Sequence, residues 1–233
     1  MSFLFVEEKR LNTSFVDTIW RVHHDGTGTF VSQATSRWEI VVTKHQGKMT
    51  LTVRGPETKA TPVDYSWAEA EIVGITFQPG TYMPHLPPGK VRDLHDIILP
   101  EATRKSFWLH GSVWQYPDYE HADRFVDQLI RNGLLRRDPV VDALLQGHPQ
   151  ELSLRSLQYR FVHVTGLTHR TLLQIERARL AARLLEQGMP ILDVVFEAGY
   201  FDQPHLSRSL KYLIGQTPAQ IREHSCKLQN FAF

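Results

Sequence analysis

The chain has 233 residues, 42% of them hydrophobic, which is enough to bury a substantial core in one large domain or two modest ones. Its formal net charge is only +1, and residues 138–226 carry nine Lys or Arg against nine Asp or Glu, so bulk charge alone does not indicate a nucleic-acid partner. The single cysteine, Cys226, excludes an intramolecular disulfide framework, and no apolar stretch approaches about 18 residues, so we expect a soluble, cytoplasmic protein with no membrane contact.

Short β-strands are predicted throughout residues 1–117. Trp38–Thr43 is rich in β-branched and aromatic residues, Gln46-Gly47 supplies a turn, and apolar residues alternate with polar ones over Met49–Val53, which together predict a hairpin. Many short strands at this spacing favour a β-sandwich or small β-barrel. The further strands predicted are Thr29–Gln33, Glu71–Gln78 and Ser106–Val113.

The histidines of this half raise the alternative of a cupin-like metalloenzyme with a helical tail. Such a site needs His-x-His followed by Glu, and the sequence has no His-x-His. Adjacent histidines on a strand point to opposite faces, so we expect neither a metal nor a cofactor at His23, His24, His85, His95 or His110. Phosphate-loop, nucleophile-elbow and His-Glu-x-x-His motifs are also absent, so we expect no enzyme.

An amphipathic helix is predicted over Asp118–Leu135. Its apolar stripe favours packing within its own domain. The five tryptophans all precede this helix, and core filling is favoured for them over the lining of a ligand pocket. The stripe consists of Ala122, Phe125, Val126, Leu129 and Ile130.

Residues 190–218 carry the pattern of a helix-turn-helix. Pro190 suits a first helical position, Gly199 suits a left-handed stop, and the apolar run between them is expected to bury one side of a short helix: Ile191, Leu192, Val194 and Val195. Asp202 is expected to cap the next helix, whose buried face recurs at spacings of four and three: Leu206, Leu210 and Leu213. Its opposite face carries Arg208 and Lys211, as a major-groove reading helix requires.

An upstream copy of this pattern lies 49 residues earlier, with matching cap, anchors, glycine and threonine at Ser153, Leu157, Phe161, Gly166 and Thr168. Its turn is expected to be two residues longer, and its inner face is expected to hold Leu154, Leu157, Phe161 and Val164. A connecting helix over residues 169–187 would span about 27 Å, near the roughly 34 Å repeat of the major groove. The pattern therefore predicts two reading helices that enter successive groove segments.

Positive charge concentrates at these two predicted helices. No acidic residue lies between Glu151 and Glu176 or between Asp202 and Glu223. The cationic residues in these two intervals are Arg155, Arg160, Arg170, Arg208, Lys211 and Arg222. The residues predicted to contact bases or phosphates are Arg155, Ser156, Gln158 and Tyr159 in the first helix, and Gln203, His205, Ser207, Arg208 and Lys211 in the second.

Residues 138–223 resemble the DNA-binding domain of AraC/XylS-family transcription regulators. The resemblance rests on Gly-Tyr-Phe-Asp-Gln-Pro-His-Leu-Ser-Arg-Ser-Leu-Lys, the Gly-Gln-Thr-Pro ending and the earlier Ser-Leu-Arg-Ser-Leu-Gln-Tyr-Arg-Phe. The family commonly has Arg two residues after the first anchor leucine, as at Arg208, whereas the upstream copy has Tyr159. More loosely, Arg-Gly-Pro-Glu at 54–57 and Gly-Ile-Thr-Phe-Gln-Pro-Gly at 74–80 resemble the sensor region of such regulators.

The resemblance implies an α+β, two-domain regulator that binds double-stranded DNA. The expected divisions are a β-rich sensor or dimerisation domain over 1–117, an amphipathic helix and junction over 118–137, and an all-α double helix-turn-helix domain over 138–226. By the family pattern, the amphipathic helix is either the first helix of the DNA-binding domain or a dimer helix. RNA polymerase is an expected partner, while a small-molecule effector and a homodimer stay open. A regulator without an effector, whose first domain only recruits proteins, is the remaining alternative.

Overall fold

The computed structural model describes residues 5–11, 13–93 and 95–229. A strand-rich N-terminal region precedes a helical C-terminal region, which confirms the predicted α+β class. The chain forms two compact units, the first within residues 1–28, 37–56 and 64–168 and the second within 29–36, 57–63 and 169–233. The domain boundaries drawn from the sequence remain a prediction.

Eleven strands are present among the described residues: β1 Phe5–Lys9, β2 Val16–Ser32, β3 Glu39–His45, β4 Lys48–Arg54, β5 Thr61–Phe77, β6 Thr81–Tyr82, β7 Ile97–Ile98, β8 Glu101–Thr103, β9 Ser106–Leu109, β10 Ser112–Gln115 and β11 Arg136–Arg137. Six of them form one sheet in the order β1-β2-β5-β3-β4-β7. A three-stranded sheet has the order β10-β9-β8, and β11 pairs with β6. The predicted strands Thr29–Gln33 and Glu71–Gln78 overlap the C-terminal ends of the 17-residue strands β2 and β5.

The predicted hairpin is confirmed as β3 and β4, which pair antiparallel with Val42 opposite Leu51. Its turn residues Gln46 and Gly47 both have positive φ, 49° and 75°. That combination matches the right-handed twist of the flanking strands, which is why an asparagine-like residue followed by glycine favours such a turn.

The predicted strand Ser106–Val113 is wrong as a single element, because it is a hairpin of β9 and β10. His110 and Gly111 form its turn with φ of 49° and 75°, a conformation that reverses the chain. The apolar residues on both sides of this turn made one continuous strand pattern, and the His-Gly pair was the overlooked turn signal.

The core of the first unit lies against the main sheet. Trp38 stacks on Phe77 at 4.1 Å between ring centroids, and its indole Nε1 donates to the Thr81 carbonyl at 2.7 Å. Trp20 lies so close to Gly74 that a Cβ added there would clash with the indole ring. At least these two tryptophans therefore fill space within the fold, as the sequence favoured.

Helix α1 spans Ala122–Arg131, which is shorter than the predicted Asp118–Leu135. The Asp118 carboxylate accepts the His121 amide at 2.8 Å before the helix, and Gly133 has a φ of +67° after it. The hydrogen bond to Asp118 at one end and the left-handed Gly133 at the other set the limits of α1, and the apolar stripe alone does not indicate these limits. The stripe packs into the core of its own unit, as predicted.

Six further helices follow: α2 Pro139–Leu145, α3 Leu154–Thr165, α4 His169–Glu186, α5 Ile191–Glu197, α6 Gln203–Leu213 and α7 Pro218–Gln229. A short 3₁₀ helix, Pro88–Lys90, lies in the strand-rich region. Helices α1 to α3 belong to the first unit and α4 to α7 to the second. Among the described residues, no helix combines the length and the apolar character needed to cross a membrane.

Candidate nucleic-acid interface

Helix α6 forms as the sequence predicted. The Asp202 carboxylate accepts the His205 amide at 2.7 Å, which satisfies one of the first-turn donors that have no partner inside the helix. Its inner face is buried at Leu206, Leu210 and Leu213. Burial of this stripe leaves the opposite face of α6 for a partner.

The outward residues of α6 differ in how accessible they are. Gln203 and Arg208 are exposed, and Lys211 is exposed with its Nζ donating to the Gly215 carbonyl at 3.0 Å. Ser207 and His205 are half-buried. The His205 ring packs edge-on against the buried Tyr200 ring, with 5.1 Å between the ring centroids. Arg208 and Gln203 are therefore the side chains of this face that a ligand reaches most directly.

Helix α5 and its turn support α6. Val194 and Val195 are buried, and Gly199 has a φ of +67°, as a left-handed helix stop requires. The expectation that Leu192 belongs to the buried side is wrong, since it is 62% exposed. Leu192 and Phe196 are four residues apart and share the outer face of the helix, so the apolar run covers two faces of α5.

All four predicted contact residues of helix α3 are exposed. Ser153 Oγ accepts the Ser156 amide at 3.2 Å, which confirms the predicted cap. Phe161 and Val164 are buried, as predicted, and Leu157 is half-buried. The exposed residues on its other faces include Arg155, Ser156, Gln158 and Tyr159.

The expectation that Leu154 lies on the inner face of α3 is wrong, because it is 77% exposed. The residues of α3 that become buried, Phe161, Val164 and Thr165, all lie in its second half. The first turn of α3 thus extends past the elements on which the helix packs. Periodicity predicts which side of a helix is apolar, but not how far along its length a neighbour reaches.

Arg160 pairs with a buried carboxylate of the first helix-turn-helix. Its Nε donates to the Asp138 carboxylate at 2.6 Å, and the same carboxylate accepts the amides of Val140 and Val141 at the start of α2. Asp138 is buried, so this pair connects α3 to α2. Sequence reasoning counted Arg160 with the cationic surface, whereas the structure gives it this structural partner.

Helix α4 confirms the predicted connecting helix and supports the second helix-turn-helix. It has 18 residues, and its buried side includes Leu172, Ile175, Ala178 and Leu185. The Arg177 guanidinium lies over the Tyr200 ring at 4.5 Å and donates to the Gly199 carbonyl at 3.3 Å. Sequence reasoning missed these two contacts between Arg177 and the turn that joins α5 to α6.

The comparison with protein families agrees with this geometry. Residues 151–224 match the family model described as a helix-turn-helix domain, over the region that contains α3 to α6. The chain carries an AraC-type helix-turn-helix domain. The resemblance of this region to the DNA-binding domain of AraC/XylS-family transcription regulators is thereby confirmed.

Solved structures with a likeness to this chain include ToxT from Vibrio cholerae, at 9% identity, 92% coverage of this chain, 98% coverage of that chain and a TM-score of 0.43. Another is ToxT from the same organism bound to (E)-4-(8-methylnaphthalen-1-yl)but-3-enoic acid, at 10% identity, with 95% and 98% coverage and a TM-score of 0.40. At these values the likeness carries no information on the ligands of this chain. No curated protein matches it.

The strand-rich region contains a cavity of about 600 Å³. Val42 and Val73, which face each other on β3 and β5, contribute apolar lining, and Tyr116 adds a phenol whose pKa is raised by burial. Arg104 and Lys105 line the cavity from the turn between β8 and β9. Its volume lies in the range of about 300–1,000 Å³ that small-molecule sites occupy.

Among the described residues, no group of three or more His, Cys, Asp or Glu side chains could hold a metal ion. The side chain of His24 lies outside the described set. His85 and His110, two of the candidates named from the sequence, instead stack face to face with ring centroids 3.6 Å apart.

Proposed function

We propose that α3 and α6 are the two reading helices and that they enter successive major-groove segments of double-stranded DNA. The support is the exposure of polar side chains on both helices opposite their buried anchors. The 18-residue connecting helix, at about 1.5 Å per residue, has a length of about 27 Å. This proposal assigns base and phosphate contacts to Arg155, Ser156, Gln158, Tyr159, Gln203, His205, Ser207, Arg208 and Lys211.

The test begins with selection of bound DNA from a random library by the full chain. On the selected site, Arg208→Ala is expected to cost about 1–3 kcal/mol of binding free energy and to relax the preference at one base pair if Arg208 reads a base. A uniform loss on all sequences would identify a phosphate contact. Arg124→Ala, which removes an exposed arginine from α1, is the control for net charge.

The same selection tests the two-helix arrangement. Two preferred blocks of base pairs separated by about one duplex turn are expected, because the major groove returns to the same face after about 34 Å. A single block, or an Arg208→Ala affinity equal to that of Arg124→Ala, would contradict the proposal. Arg155→Ala is expected to change preference in the block that Arg208→Ala leaves unchanged.

We also propose that a small-molecule effector binds in the cavity between β3, β5 and the turn after β8. The lining carries three cations, Lys44, Arg104 and Lys105, against the carboxylates of Glu71 and Asp118, and Lys44 pairs with Glu71 at 3.5 Å. The apolar lining and the excess of positive charge favour a small ligand with an apolar part and an acidic group. A thermal-shift screen against a metabolite panel tests this, since a ligand at about 100 times its dissociation constant stabilises by about 2.7 kcal/mol. Arg104→Ala should weaken the response to a hit, and Lys48→Ala, outside the cavity lining, should not.

A panel without any stabilising compound would favour the regulator whose first domain only recruits proteins. Members of this family are in general not enzymes, so we propose binding rather than catalysis. Calorimetric titration of the full chain with zinc and iron tests the cupin-like alternative, which tight stoichiometric binding would revive. A homodimer and RNA polymerase remain predicted partners, which size-exclusion chromatography of the chain and reconstituted transcription would test separately.

A further inference from the structure

The C-terminal end of α6 is held by backbone groups from the first half of the sequence. The last carbonyls of a helix have no partner inside it. Two of these in α6 are the carbonyls of Tyr212 and Leu213, which accept the amides of Ala60 at 2.8 Å and Ala34 at 2.7 Å. All four residues belong to the second unit.

The two donor segments also pair with each other. Thr35 and Glu57 exchange backbone hydrogen bonds of 2.9 and 3.0 Å, and Ser32 Oγ donates to the Glu57 carboxylate at 2.9 Å. Ser36 Oγ donates to the carboxylate of Glu176 on α4. We call residues 31–36 and 57–60 the clamp.

Gly215 brings the clamp still closer to α6. Its φ is +84°, and a Cβ at this position would lie 2.6 Å from Val31 Cγ1 and 3.3 Å from Ala60 Cβ. The first of these distances is shorter than real Cβ contacts allow. The chain that leaves α6 therefore runs directly along the clamp, and only glycine fits without a shift.

A related arrangement exists at α3, within the first unit. A Cβ on Gly166, the residue that ends α3, would lie 2.8 Å from the Gly89 amide nitrogen, and Arg92 Nη1 donates to the Gly166 carbonyl at 3.4 Å. Each reading helix thus ends at a glycine that packs against a segment from the first 100 residues. The two contacts were invisible in the sequence, because their partners are more than 70 residues away.

We propose that the clamp positions α6 for DNA reading, with Ala34 and Ala60 acting as positioning residues. This inference rests on the proposed function of α6. Side chains that read base edges must be held within about 0.5 Å of the productive geometry, and this requires rigid supporting elements. Two backbone hydrogen bonds and a glycine contact fix the C-terminal end of α6, about one turn beyond Arg208, and the Lys211 Nζ donates to the carbonyl of Gly215 itself.

Gly215→Ala in the full chain tests the clamp, because the new methyl group must displace Val31 or the chain after α6. Gly188→Ala is the matched control: Gly188 has a φ of +89°, so it carries the same backbone strain, but no atom lies within 4 Å of its Cβ position. Adding Val31→Ala to Gly215→Ala removes the Cγ1 clash and leaves the strain. Affinity for the selected DNA is measured by fluorescence anisotropy at a temperature where circular dichroism shows every variant folded.

Gly215→Ala is expected to weaken DNA binding about tenfold relative to Gly188→Ala, the cost of losing about one base contact. The loss of base preference should be confined to the block of the site that Arg208 reads, and Val31→Ala should restore most of the affinity. A merely structural effect would lower the melting temperature of both glycine variants without changing base preference. Equal affinities for the two variants would overturn the clamp.

A second measurement decides the case in which Gly215→Ala does not fold. Hydrogen exchange at the amides of Ala34 and Ala60 in the wild-type chain should slow when the selected DNA is added, because coupling between two sites is reciprocal. Unchanged exchange at both amides with saturating DNA would overturn the clamp while leaving the proposed function intact. Failure of the wild-type chain to select any DNA would overturn the proposed function, and the clamp with it.

Discussion

Asp138 offers the sharpest test of how the first helix-turn-helix is held together. Its buried carboxylate caps α2 by accepting two amides, at 3.0 and 3.2 Å, and receives the Arg160 guanidinium at 2.6 Å. Loss of the cap costs about 1 kcal/mol, and loss of a hydrogen bond to a charged group adds about the same for a pair that is half-exposed on the arginine side. Asp138→Ala should therefore lower the free energy of unfolding by about 2 kcal/mol.

Related substitutions separate the two contributions. Asp138→Asn keeps an oxygen that accepts the α2 amides and loses the charge, so it should cost about 1 kcal/mol. Asp123→Ala on α1 removes an exposed carboxylate at a helix start and should cost less than about 0.5 kcal/mol. The expected order of stability is Asp123→Ala above Asp138→Asn, and Asp138→Asn above Asp138→Ala.

Urea unfolding followed by tryptophan fluorescence measures these differences. All five tryptophans fall within the residue ranges of the first unit, which also contains α2 and α3, so the signal reports the unit that the substitutions affect. Equal stabilities of the alanine and asparagine variants would refute the role assigned to the cap. A loss below about 0.5 kcal/mol for Asp138→Ala would refute the reasoning as a whole.

Two further predictions concern positions where burial and charge decide the outcome. Leu154→Gln should change the free energy of unfolding by less than about 0.5 kcal/mol, because the Leu154 side chain is 77% exposed. Phe161→Ala should cost about 3–5 kcal/mol, because Phe161 is only 2% exposed. A larger cost for Leu154→Gln in urea titrations would contradict its exposed position. Burial raises the pKa of the Glu39 carboxyl, against the opposing effects of Arg54 and Thr76. A raised folded-state pKa contributes stability that is present at low pH and lost as pH rises through that pKa, so Glu39→Gln should abolish this part of the pH dependence. The free energy of unfolding is measured from pH 4 upward. If its pH dependence is the same in the wild-type chain and in Glu39→Gln, the pKa of the Glu39 carboxyl is the same in the folded and the unfolded chain.

The DNA-binding character of the chain and the roles of its individual residues have different support. The family match covers residues 151–224, so the helix-turn-helix character and DNA binding of this region are established by it. The roles of individual residues, the effector and the clamp are proposals that the variants above test one at a time.

Local patterns in the sequence determined most of the helical elements. Cap residues such as Asp202 and Ser153 and the glycine stops at 199 and 215 act through neighbours a few residues away, so their effects are readable without knowledge of the fold. The β3–β4 hairpin was predicted for the same reason, since its turn and its alternating strands are contiguous.

Tertiary structure alone decided which apolar residues become buried and which charges find partners. Leu154 and Leu192 fit apolar runs, yet both are exposed, because burial depends on whether another element reaches that part of the helix. Arg160 pairs with a carboxylate 22 residues away, and the end of α6 takes its hydrogen bonds from Ala34 and Ala60. Such contacts join residues far apart in the chain, and no periodicity within a short window carries information about them.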